Sequence, residues 1–212
     1  MFDLHLHTSY SKDGHEKPEA MARILKKKGF GGMAITDHNT VEGALKKYRF
    51  REFIIIPGIE VSSDRGHILG IGIQDRIKKR RAEEVIDEIR DSGGVAIFAH
   101  PYRMFSGAIK NFEGLKFDGI EAFNARSFPN QNRRAAGLAI KEGGAATGGS
   151  DAHHLWEAGR GYTVMEAESV DDVVKNILKK KTKAGGQPSM LMPLKSSVNA
   201  LYSYAVRGFK RV

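Results

Sequence analysis

The chain has 212 residues, and its 41% hydrophobic content is enough to bury a core, which excludes an intrinsically disordered protein. It contains no cysteine, so disulfides, thiolate zinc sites and thiol nucleophiles are excluded, and any metal must be held by nitrogen and oxygen ligands. Its formal charge of +9 belongs to the last 40 residues, because no acidic residue follows Asp172 while nine lysines and arginines do. The neutral remainder mildly favours a small substrate over a long nucleic acid.

The order of apolar runs predicts strands that alternate with helices. Strands are predicted at residues 2–6, 32–35, 53–56, 67–73, 94–99, 119–123 and 145–148. Helices are predicted at residues 18–28, 41–48, 82–91, 130–142 and 170–181. This alternation indicates an α/β fold with a parallel sheet or barrel that is covered by helices. No stretch approaches the roughly 18 uncharged apolar residues of a membrane span, and the first residues lack the pattern of a secretion signal, so we expect a cytoplasmic protein.

Histidines and isolated carboxylates stand at the ends of these predicted strands. They are His5, His7, Asp13, His38, Glu60, His67, His100, Asp151 and His153. Because the carboxyl ends of parallel strands converge on one face of a barrel, side chains that are far apart in the sequence can meet there in one cleft. His67 is the exception, since it opens its strand, and that strand is a candidate for antiparallel pairing.

The spacing of these residues favours metal binding over acid–base chemistry. Residues two apart in an extended strand point the same way, so His5 and His7 aim two imidazoles at one point, and Asp151 and His153 can act likewise. A lone histidine after a strand, such as His100, is more often a hydrogen-bonded loop residue. Six histidines and three carboxylates nevertheless exceed what one ion can use, so we expect two or three ions. Such ligands admit manganese, iron or zinc.

Seven short motifs carry a family resemblance. They are DLHLHT at residues 3–8, SKDG at 11–14, AITDHN at 34–39, PGIEV at 57–61, GHILG at 66–70, AHP at 99–101 and GSDAH at 149–153. This ordered set closely resembles the motifs of the polymerase-and-histidinol-phosphatase (PHP) family of metal-dependent phosphoesterases, over about residues 1–183. The resemblance implies a distorted (β/α)7 barrel, similar to a TIM barrel, with a trinuclear metal site at the carboxyl ends of the strands.

The resemblance also distributes the nine residues over three ions. The first ion would be held by His5, His7, Glu60 and Asp151. Glu60, as a bridging and therefore catalytic residue, would join the first ion to a second that is held by His67 and His100. The third ion would be held by Asp13, His38 and His153. No ligand position is missing, which argues against a degenerate copy.

The chemistry that this implies is hydrolysis of a phosphate ester of a small metabolite or nucleotide by attack of a metal-bound hydroxide. The ungapped stretches TDHNT and PGIEVSS look most like the small-phosphoesterase branch, whose activities include nucleotide phosphatase and 5′-to-3′ exonuclease. Three alternatives stay open. They are a 5′–3′ exonuclease on RNA or DNA, a histidinol-phosphate phosphatase and, from a different class, a non-catalytic binding module whose metals are structural.

Three arginines near the ligand motifs are candidates for catalytic contact with the substrate phosphate. They are Arg103, Arg126 and Arg160. A guanidinium can clamp a phosphate at two points, although each arginine could equally be a surface salt-bridge partner. Asp37 is interpreted as a residue that orients a ligand, His15 as a loop residue at the mouth of the cleft, and His154 as ordinary structure.

The sequence divides into a PHP phosphoesterase domain, residues 1–183, and a basic amphipathic C-terminal extension, residues 184–212. Residues 184–188 are predicted to form a linker. Beyond them, apolar residues recur at helical spacing at Leu194, Val198, Leu201, Tyr202, Ala205 and Phe209. This helix could dock on its own barrel, or it could contact a membrane surface, a nucleic acid or a second copy in a homodimer.

Overall fold

The computed structural model describes residues 1–103 and 112–206. The described residues form five helices, which are α1 Pro18–Lys27, α2 Ala82–Asp91, α3 Pro129–Glu142, α4 Val170–Leu178 and α5 Leu191–Val206. They also form nine strands, which are β1 Phe2–Asp3, β2 Gly32–Ile35, β3 Ile54–Ser62, β4 His67–Ile71, β5 Val95–Phe98, β6 Gly119–Asn124, β7 Ala145–Gly149, β8 Gly161–Val164 and β9 Lys183–Gly186. The strands build one sheet that curls into a nearly closed barrel, which confirms the predicted α/β barrel.

The sheet is mixed, and its strands follow the order β7-β6-β5-β4-β3-β2-β1-β8-β9. Strands β1, β2 and β3 pair in parallel, and so do β5, β6 and β7. Between these groups, β4 runs antiparallel to both β3 and β5, as the position of His67 at its start indicated. Strand β8 pairs antiparallel with β1, and β9 pairs antiparallel with β8. The six parallel strands therefore end on the same face of the barrel.

The barrel closes where the chain after β7 meets the chain after β1. The backbone N–H of Asp151 donates to the carbonyl oxygen of His5 at 2.7 Å, and the N–H of His7 donates to the carbonyl oxygen of Ala152 at 2.8 Å. Leu6 and Ala152 form a parallel bridge between these segments. We call this junction, together with the contacts of β7 with β8 and β9, the closing seam.

In the part of the closing seam between β7 and β8, Gly148 and Thr163 hydrogen bond to each other. The N–H of Gly148 donates to Thr163 Oγ1 at 2.8 Å, and the Thr163 hydroxyl donates to the carbonyl oxygen of Gly148 at 2.9 Å. A Cβ atom at Gly148 would lie 2.5 Å from the carbonyl oxygen of Tyr162, so any larger residue would force β7 and β8 apart. Strands β7 and β8 thus meet through side-chain hydrogen bonds and a close backbone approach.

The first helix shows how local sequence places an element on the barrel. Pro18 occupies the first turn of α1, where its missing N–H leaves no hydrogen bond unmade, and two lysines stand in the last turn, where they favour the negative end of the helix dipole. Met21 and Leu25 lie one turn apart and are fully buried. The helix therefore packs one apolar stripe against the sheet.

The helix predicted at residues 41–48 is wrong. The N–H of Ala44 donates to the carbonyl oxygen of Val41 at 3.0 Å, but the described backbone there continues as turns. Gly43 packs closely against Asp37, since a Cβ atom at that position would lie 2.7 Å from Asp37 Oδ2. The hydroxyl of Tyr48 donates to the carbonyl oxygen of Gly43 at 2.5 Å, a bond to a carbonyl that a helix would use itself. Tertiary packing has overridden the apolar spacing.

The linker predicted at residues 184–188 is wrong over its first three residues. These belong to β9, and Ala184 is paired with Thr163 of β8, a strand that the sequence did not predict. The glycines of this segment suggested a flexible linker. A Cβ atom at Gly186 would lie 2.0 Å from the ring of Phe123, however, so glycine allows close packing here. The sheet thus continues past residue 183, while the division of the chain into two domains remains a prediction.

Helix α5 docks on the barrel with a narrow side. Met192 and Ser196 are buried there, whereas the opposite side carries large apolar side chains that are 55–77% exposed. We call this opposite side the outer face, which consists of Leu191, Leu194, Val198, Leu201, Tyr202 and Val206. Phe209, the last residue of the predicted stripe, lies outside the described residues. Among the described helices, none is long and apolar enough to cross a membrane.

Candidate metal centre

The first two histidines of the cluster are aimed by the extended chain after β1. Leu6 is fully buried in the core, and His5 and His7 lie on the other side of the chain with their Nε2 atoms 3.3 Å apart. The alternation of a buried leucine with two histidines predicted this arrangement. Neither imidazole is accessible to solvent.

Glu60 lies at the centre of the cluster, near the carboxyl end of the long strand β3. Its side chain is 1% exposed, and the nitrogens of five histidines surround its two carboxylate oxygens. Oε1 lies 2.9 Å from both His67 Nδ1 and His100 Nε2. Oε2 lies at 3.1, 3.2 and 3.5 Å, respectively, from His38 Nδ1, His7 Nε2 and His5 Nε2. One carboxylate therefore faces ligands from four strand ends at once.

Two further carboxylates lie at the edges of the cluster. Asp13 Oδ2 is 3.5 Å from His38 Nε2 and 3.2 Å from His153 Nε2. Asp151 Oδ1 is 3.5 Å from His7 Nε2 and 3.7 Å from His153 Nδ1. The loop after β1 and the loop after β7 thus supply carboxylates to the same cluster of histidines.

The donor atoms are grouped closely enough to share ions. Four groups have all their ligand atoms within 4.8 Å of one another: His7, Asp13, His38 and His153; His5, His7 and Asp151; His5, Glu60 and His100; and His38, Glu60 and His67. All nine predicted ligands occur in these groups. Asp13 Oδ1 is buried without a hydrogen-bond donor in the described part of the chain, and such an oxygen is costly unless a cation satisfies it. The donor set fits divalent metal ions.

The three carboxylates are held in their charged form. Burial alone would raise the pKa of Glu60, but the surrounding histidines, above all His67, hold it well below its ordinary value. Burial would likewise raise the pKa of Asp151, but the nearby guanidinium of Arg103 holds it well below that of a free aspartate. Burial would raise the pKa of Asp13 as well, but the hydrogen bonds and charges of His153 and His38 together lower it strongly. Anionic oxygens are the form that binds cations.

The histidines differ in how tightly they hold a proton. Burial alone would lower the pKa of His7, but the carboxylates of Asp151 and Glu60 raise it to about 9. Burial lowers the pKa of His153 to about 4, and the positive charge of Arg126 contributes to this shift. These shifts favour a proton on His7 and the neutral form of His153 at pH 7.

Comparison with known proteins identifies the family. The model of the PHP domain matches residues 3–85, and the model of the PHP-associated region matches residues 129–182. The uncharacterized protein MJ1587 of Methanocaldococcus jannaschii is 36% identical over 138 residues, which are 58% of this chain and 81% of that protein. The chain belongs to the PHP family.

Two solved structures share the PHP fold of this chain at low sequence identity. A two-domain protein from Bacteroides vulgatus, described as containing a predicted PHP-like metal-dependent phosphoesterase, is 16% identical with a TM-score of 0.69. The match covers 88% of this chain but only 64% of that longer protein. PsfC from Pseudomonas syringae is 17% identical with a TM-score of 0.70, and the match covers 97% of this chain and 98% of PsfC. These likenesses establish the fold.

Two of the three arginines predicted to contact the substrate lie beside the cluster of histidines and carboxylates. Arg103 Nη1 donates to Asp151 Oδ2, and Arg126 Nη1 lies 3.4 Å from Asp151 Oδ1 and 2.6 Å from His153 Nδ1. The guanidinium of Arg160 instead donates from Nε to the carbonyl oxygen of Trp156 at 2.9 Å. The structure therefore does not bring Arg160 to the cluster, and the contacts of Arg126 are with predicted ligands.

Glu121 on β6 is a site residue that the sequence analysis missed. Its carboxylate accepts a hydrogen bond from His5 Nδ1 at 2.9 Å and from the backbone N–H of His100 at 2.7 Å. It also accepts from Asn124 Nδ2 at 3.1 Å, and that amide lies 3.3 Å from Asp151 Oδ2. A single acidic residue in the otherwise uncharged strand GIEAFN was the signal that could have revealed it. Glu121 fixes which nitrogen of His5 faces the cluster.

A second missed carboxylate, Glu157, joins the loop after β7 to helix α5. Its Oε2 accepts from the backbone N–H of His153 at 2.6 Å and from that of His154 at 3.1 Å. Its Oε1 accepts from the hydroxyl of Ser196 at 2.8 Å, and Arg126 Nη2 donates to the carbonyl oxygen of Ser196 at 3.4 Å. The C-terminal helix thus supports the residues behind the cluster.

Asp37 and His154 take positions that differ from their sequence interpretation, whereas His15 stands in a loop beside the cluster, as interpreted. Asp37 accepts from the backbone N–H and the hydroxyl of Thr8 at 2.6 and 2.7 Å, so it fixes the loop that leads to Asp13 rather than a ligand ring. His15 and His154 stack on each other with their ring centroids 4.3 Å apart. His154 is therefore part of a ring cluster at the edge of the site.

Metal binding is expected to strengthen as the pH rises towards 9. A histidine must be neutral to bind a metal ion, and at neutral pH an ion must displace the proton that Asp151 and Glu60 hold on His7. Because protons compete with the ion for His7 below its pKa of about 9, affinity should rise by up to about tenfold per pH unit between pH 6 and pH 8. Calorimetric titration with Mn²⁺ at pH 6, 7 and 8, in buffers of different ionisation enthalpy, measures both the affinity and the released protons. An affinity that does not change with pH would contradict this expectation.

Proposed function

We propose that the chain is a hydrolase that cleaves the phosphate ester of a small metabolite or nucleotide with bound divalent metal ions. The observation that carries the proposal is the position of Glu60, whose carboxylate oxygens lie 2.9 to 3.5 Å from nitrogens of five histidines. A carboxylate that faces several groups of ligands can bridge two ions. Two ions held close together can stabilise the attacking and leaving oxygens in hydrolysis of a phosphate ester.

The nine ligands would hold two or three ions of manganese, iron or zinc. The first ion would be held by His5, His7, Glu60 and Asp151. Glu60, His67 and His100 would hold the second. The third would be held by Asp13, His38 and His153. When bound, such ions lower the pKa of a coordinated water and neutralise charge on the phosphoryl oxygens.

The other residues of the site would prepare the ligands and the substrate. Glu121 accepts a hydrogen bond from His5 Nδ1, so the lone pair of His5 Nε2 faces the cluster. The guanidinium groups of Arg103 and Arg126 place positive charge beside Asp151, where it could draw an anionic phosphate to the edge of the cluster. Both side chains are largely buried, which strengthens their electrostatic effect.

The charge of the chain supports a small substrate. Residues 1–172 carry 25 basic and 25 acidic residues, so the body that contains the cluster has no excess of positive charge to attract a long nucleic acid. The motifs TDHNT and PGIEVSS support the small-phosphoesterase branch of the PHP family. One observation favours a second candidate, a 5′–3′ exonuclease, because the nine basic residues after Asp172 could bind a nucleic-acid strand.

A substrate screen tests the proposal. The full chain would be loaded with Mn²⁺, its metal content measured, and phosphate release followed from an aryl phosphate ester, AMP, histidinol phosphate and a 5′-phosphorylated oligonucleotide. We expect turnover of the aryl ester and of one small natural ester. If the chain binds two or more ions but hydrolyses none of these compounds, the metals are structural and the hydrolase proposal is wrong.

Replacing Arg103 with lysine is expected to lower kcat/KM for a small phosphate ester about ten- to a hundredfold. Lysine keeps the charge but loses the planar two-point donor, and a hydrogen bond between charged groups contributes about 1.5–3 kcal/mol. The matched control is Arg160→Lys, because the guanidinium of Arg160 bonds to the carbonyl oxygen of Trp156, away from the cluster. We expect the control to stay within about twofold of the wild type. Equal kinetics for both variants would return Arg103 to a purely structural role.

A further inference from the structure

The outer face of α5 gathers exposed apolar side chains that are scattered elsewhere in the protein. In the described part of the chain, thirteen large apolar side chains are exposed, and seven of them lie within residues 190–206. These seven are Met190 and the six residues of the outer face. The other six are spread between Met1 and Leu178. A contiguous group of this kind marks an interaction surface, whereas single exposed apolar residues need no explanation.

The outer face is turned away from the barrel because hydrogen bonds hold the other side of α5. The hydroxyl of Ser196 donates to Glu157 Oε1 at 2.8 Å, and Arg126 Nη2 donates to the carbonyl oxygen of Ser196 at 3.4 Å. Ser196 and Glu157 are each 1% exposed. The helix therefore presents its apolar side to whatever lies outside the protein.

The outer face is too small to hold a second copy by itself. Leu194, Val198 and Leu201 recur four and three residues apart, so the face is one stripe along a single helix. A helix of 16 residues is about 24 Å long and roughly 10 Å wide, which gives a footprint of roughly 240 Å². Each partner of a stable dimer buries about 800 Å². A lipid bilayer needs no matching surface, because its molecules rearrange around each side chain that enters it.

The charge of the same part of the chain selects an anionic partner. Residues 187–212 contain four basic residues and no acidic residue. The basic residues are Lys195, which is exposed in α5, and Arg207, Lys210 and Arg211, which follow the helix in the sequence. A second copy would bring positive charge to positive charge. Basic residues next to an apolar helix face are instead typical of helices that lie on membranes with anionic lipids.

We propose that the outer face of α5 binds the surface of an anionic lipid bilayer. The helix would lie parallel to the surface, with its apolar stripe below the headgroups and its basic residues near the lipid phosphates. Tyr202, which is 72% exposed, adds a ring with a polar tip, a type of side chain that is enriched at the interface between bilayer and water. The binding does not depend on the proposed hydrolase activity.

Sedimentation with vesicles tests the proposal. The full chain would be mixed with vesicles of phosphatidylcholine and phosphatidylglycerol, or with vesicles of phosphatidylcholine alone, and the bound fraction measured against lipid concentration. We expect an affinity about tenfold or more higher for the anionic vesicles. Raising the salt from about 0.05 M to about 0.5 M should weaken this binding about tenfold or more, because salt screens the attraction between the basic residues and the lipids.

Variants separate the outer face from other exposed apolar residues. The double variant Val198→Ser and Leu201→Ser should bind anionic vesicles about tenfold or more weakly, because two apolar side chains no longer leave water. Both side chains are at least 64% exposed, so the substitutions do not disturb the core. The matched control is Ile140→Ser on α3, where the isoleucine is 84% exposed, and it should bind as the wild type does. Truncation after Ser189, which removes α5, should abolish binding.

Three outcomes would overturn the proposal. The wild type could stay in the supernatant with anionic vesicles or bind both kinds of vesicle equally. The double variant could bind as tightly as the Ile140→Ser control, which would assign the contact to the basic residues alone. In sedimentation-velocity runs without vesicles, the wild type could form a dimer that the double variant does not, which would make a second copy the occupant of the outer face.

Discussion

Replacing Glu60 with glutamine is expected to lower the rate of phosphate-ester hydrolysis at least about a thousandfold and to leave fewer than two ions bound per chain. Glutamine keeps the size of the side chain, but it removes the negative charge that faces five histidines. Its amide nitrogen cannot serve as a ligand, so one of the two bridging positions is lost. Elemental analysis after reconstitution with Mn²⁺ gives the ion count, and turnover of an aryl phosphate ester gives the rate.

A second glutamate provides the control for this substitution. Glu84 on α2 is partly exposed, and its carboxylate lies 3.8 Å from Lys79 Nζ at the surface. Glu84→Gln changes the net charge by the same amount as Glu60→Gln, and we expect it to alter neither the ion count nor the rate. If the Glu60 variant retained two ions and a rate within about tenfold of the wild type, Glu60 would not be a bridging ligand.

Truncation after Ser189, which removes α5, is expected to reduce turnover about ten- to a hundredfold and to lower the Tm by several degrees. The truncated chain loses the hydrogen bond from Ser196 to Glu157 Oε1 and the carbonyl that accepts from Arg126. Because Glu157 holds the backbone N–H of His153, its altered surroundings should loosen a proposed ligand. The cut spares β9, which a truncation after residue 183 would destroy.

Two point variants separate the inner and outer sides of α5. Ser196→Ala removes only the hydrogen bond to Glu157, and it should weaken binding of Mn²⁺ while the helix remains in place. Leu201→Ser changes the outer face, where the leucine is 67% exposed, and should leave metal binding and turnover unchanged. Its sedimentation coefficient tests whether the outer face joins a second copy, as the homodimer alternative proposes. A truncated chain with wild-type metal affinity would show that the centre is complete without α5.

The parts of the site that the sequence revealed are those that follow local rules. The spacing of His5 and His7 predicted two converging imidazoles, because alternate residues of an extended chain share a side. The carboxyl ends of parallel strands predicted that Glu60 and Asp151 would meet. Strand bounds were predicted well where a short apolar run was fully buried, as in β2, for which residues 32–35 were expected and observed.

The parts that the sequence did not reveal depend on contacts between distant segments. Glu121 hydrogen bonds to His5 across 116 positions of the chain, and Ser196 hydrogen bonds to Glu157 across 39. No periodicity encodes such pairs. The glycine-rich β9 resembled a linker because glycine has low strand propensity, and only the close approach of the Phe123 ring explains why glycine is required. Local patterns thus predicted residues that the structure brings together in the cluster, but not the residues that hold them in place.

The closing seam also determines when the centre can form during folding. The backbone hydrogen bonds that join residues 5–7 to residues 151–152 close the barrel at the very residues that carry proposed ligands, and 145 positions separate Ser150 from His5. Closing so long a loop is slow, because the chain loses conformational entropy before the stabilising contacts between its ends have formed. A nascent chain that has emerged only to His100 carries seven of the nine proposed ligands but has no barrel to hold them together. The complete metal site would therefore form only after the barrel has closed, late in synthesis. Metal binding would follow folding of the barrel and would not direct it.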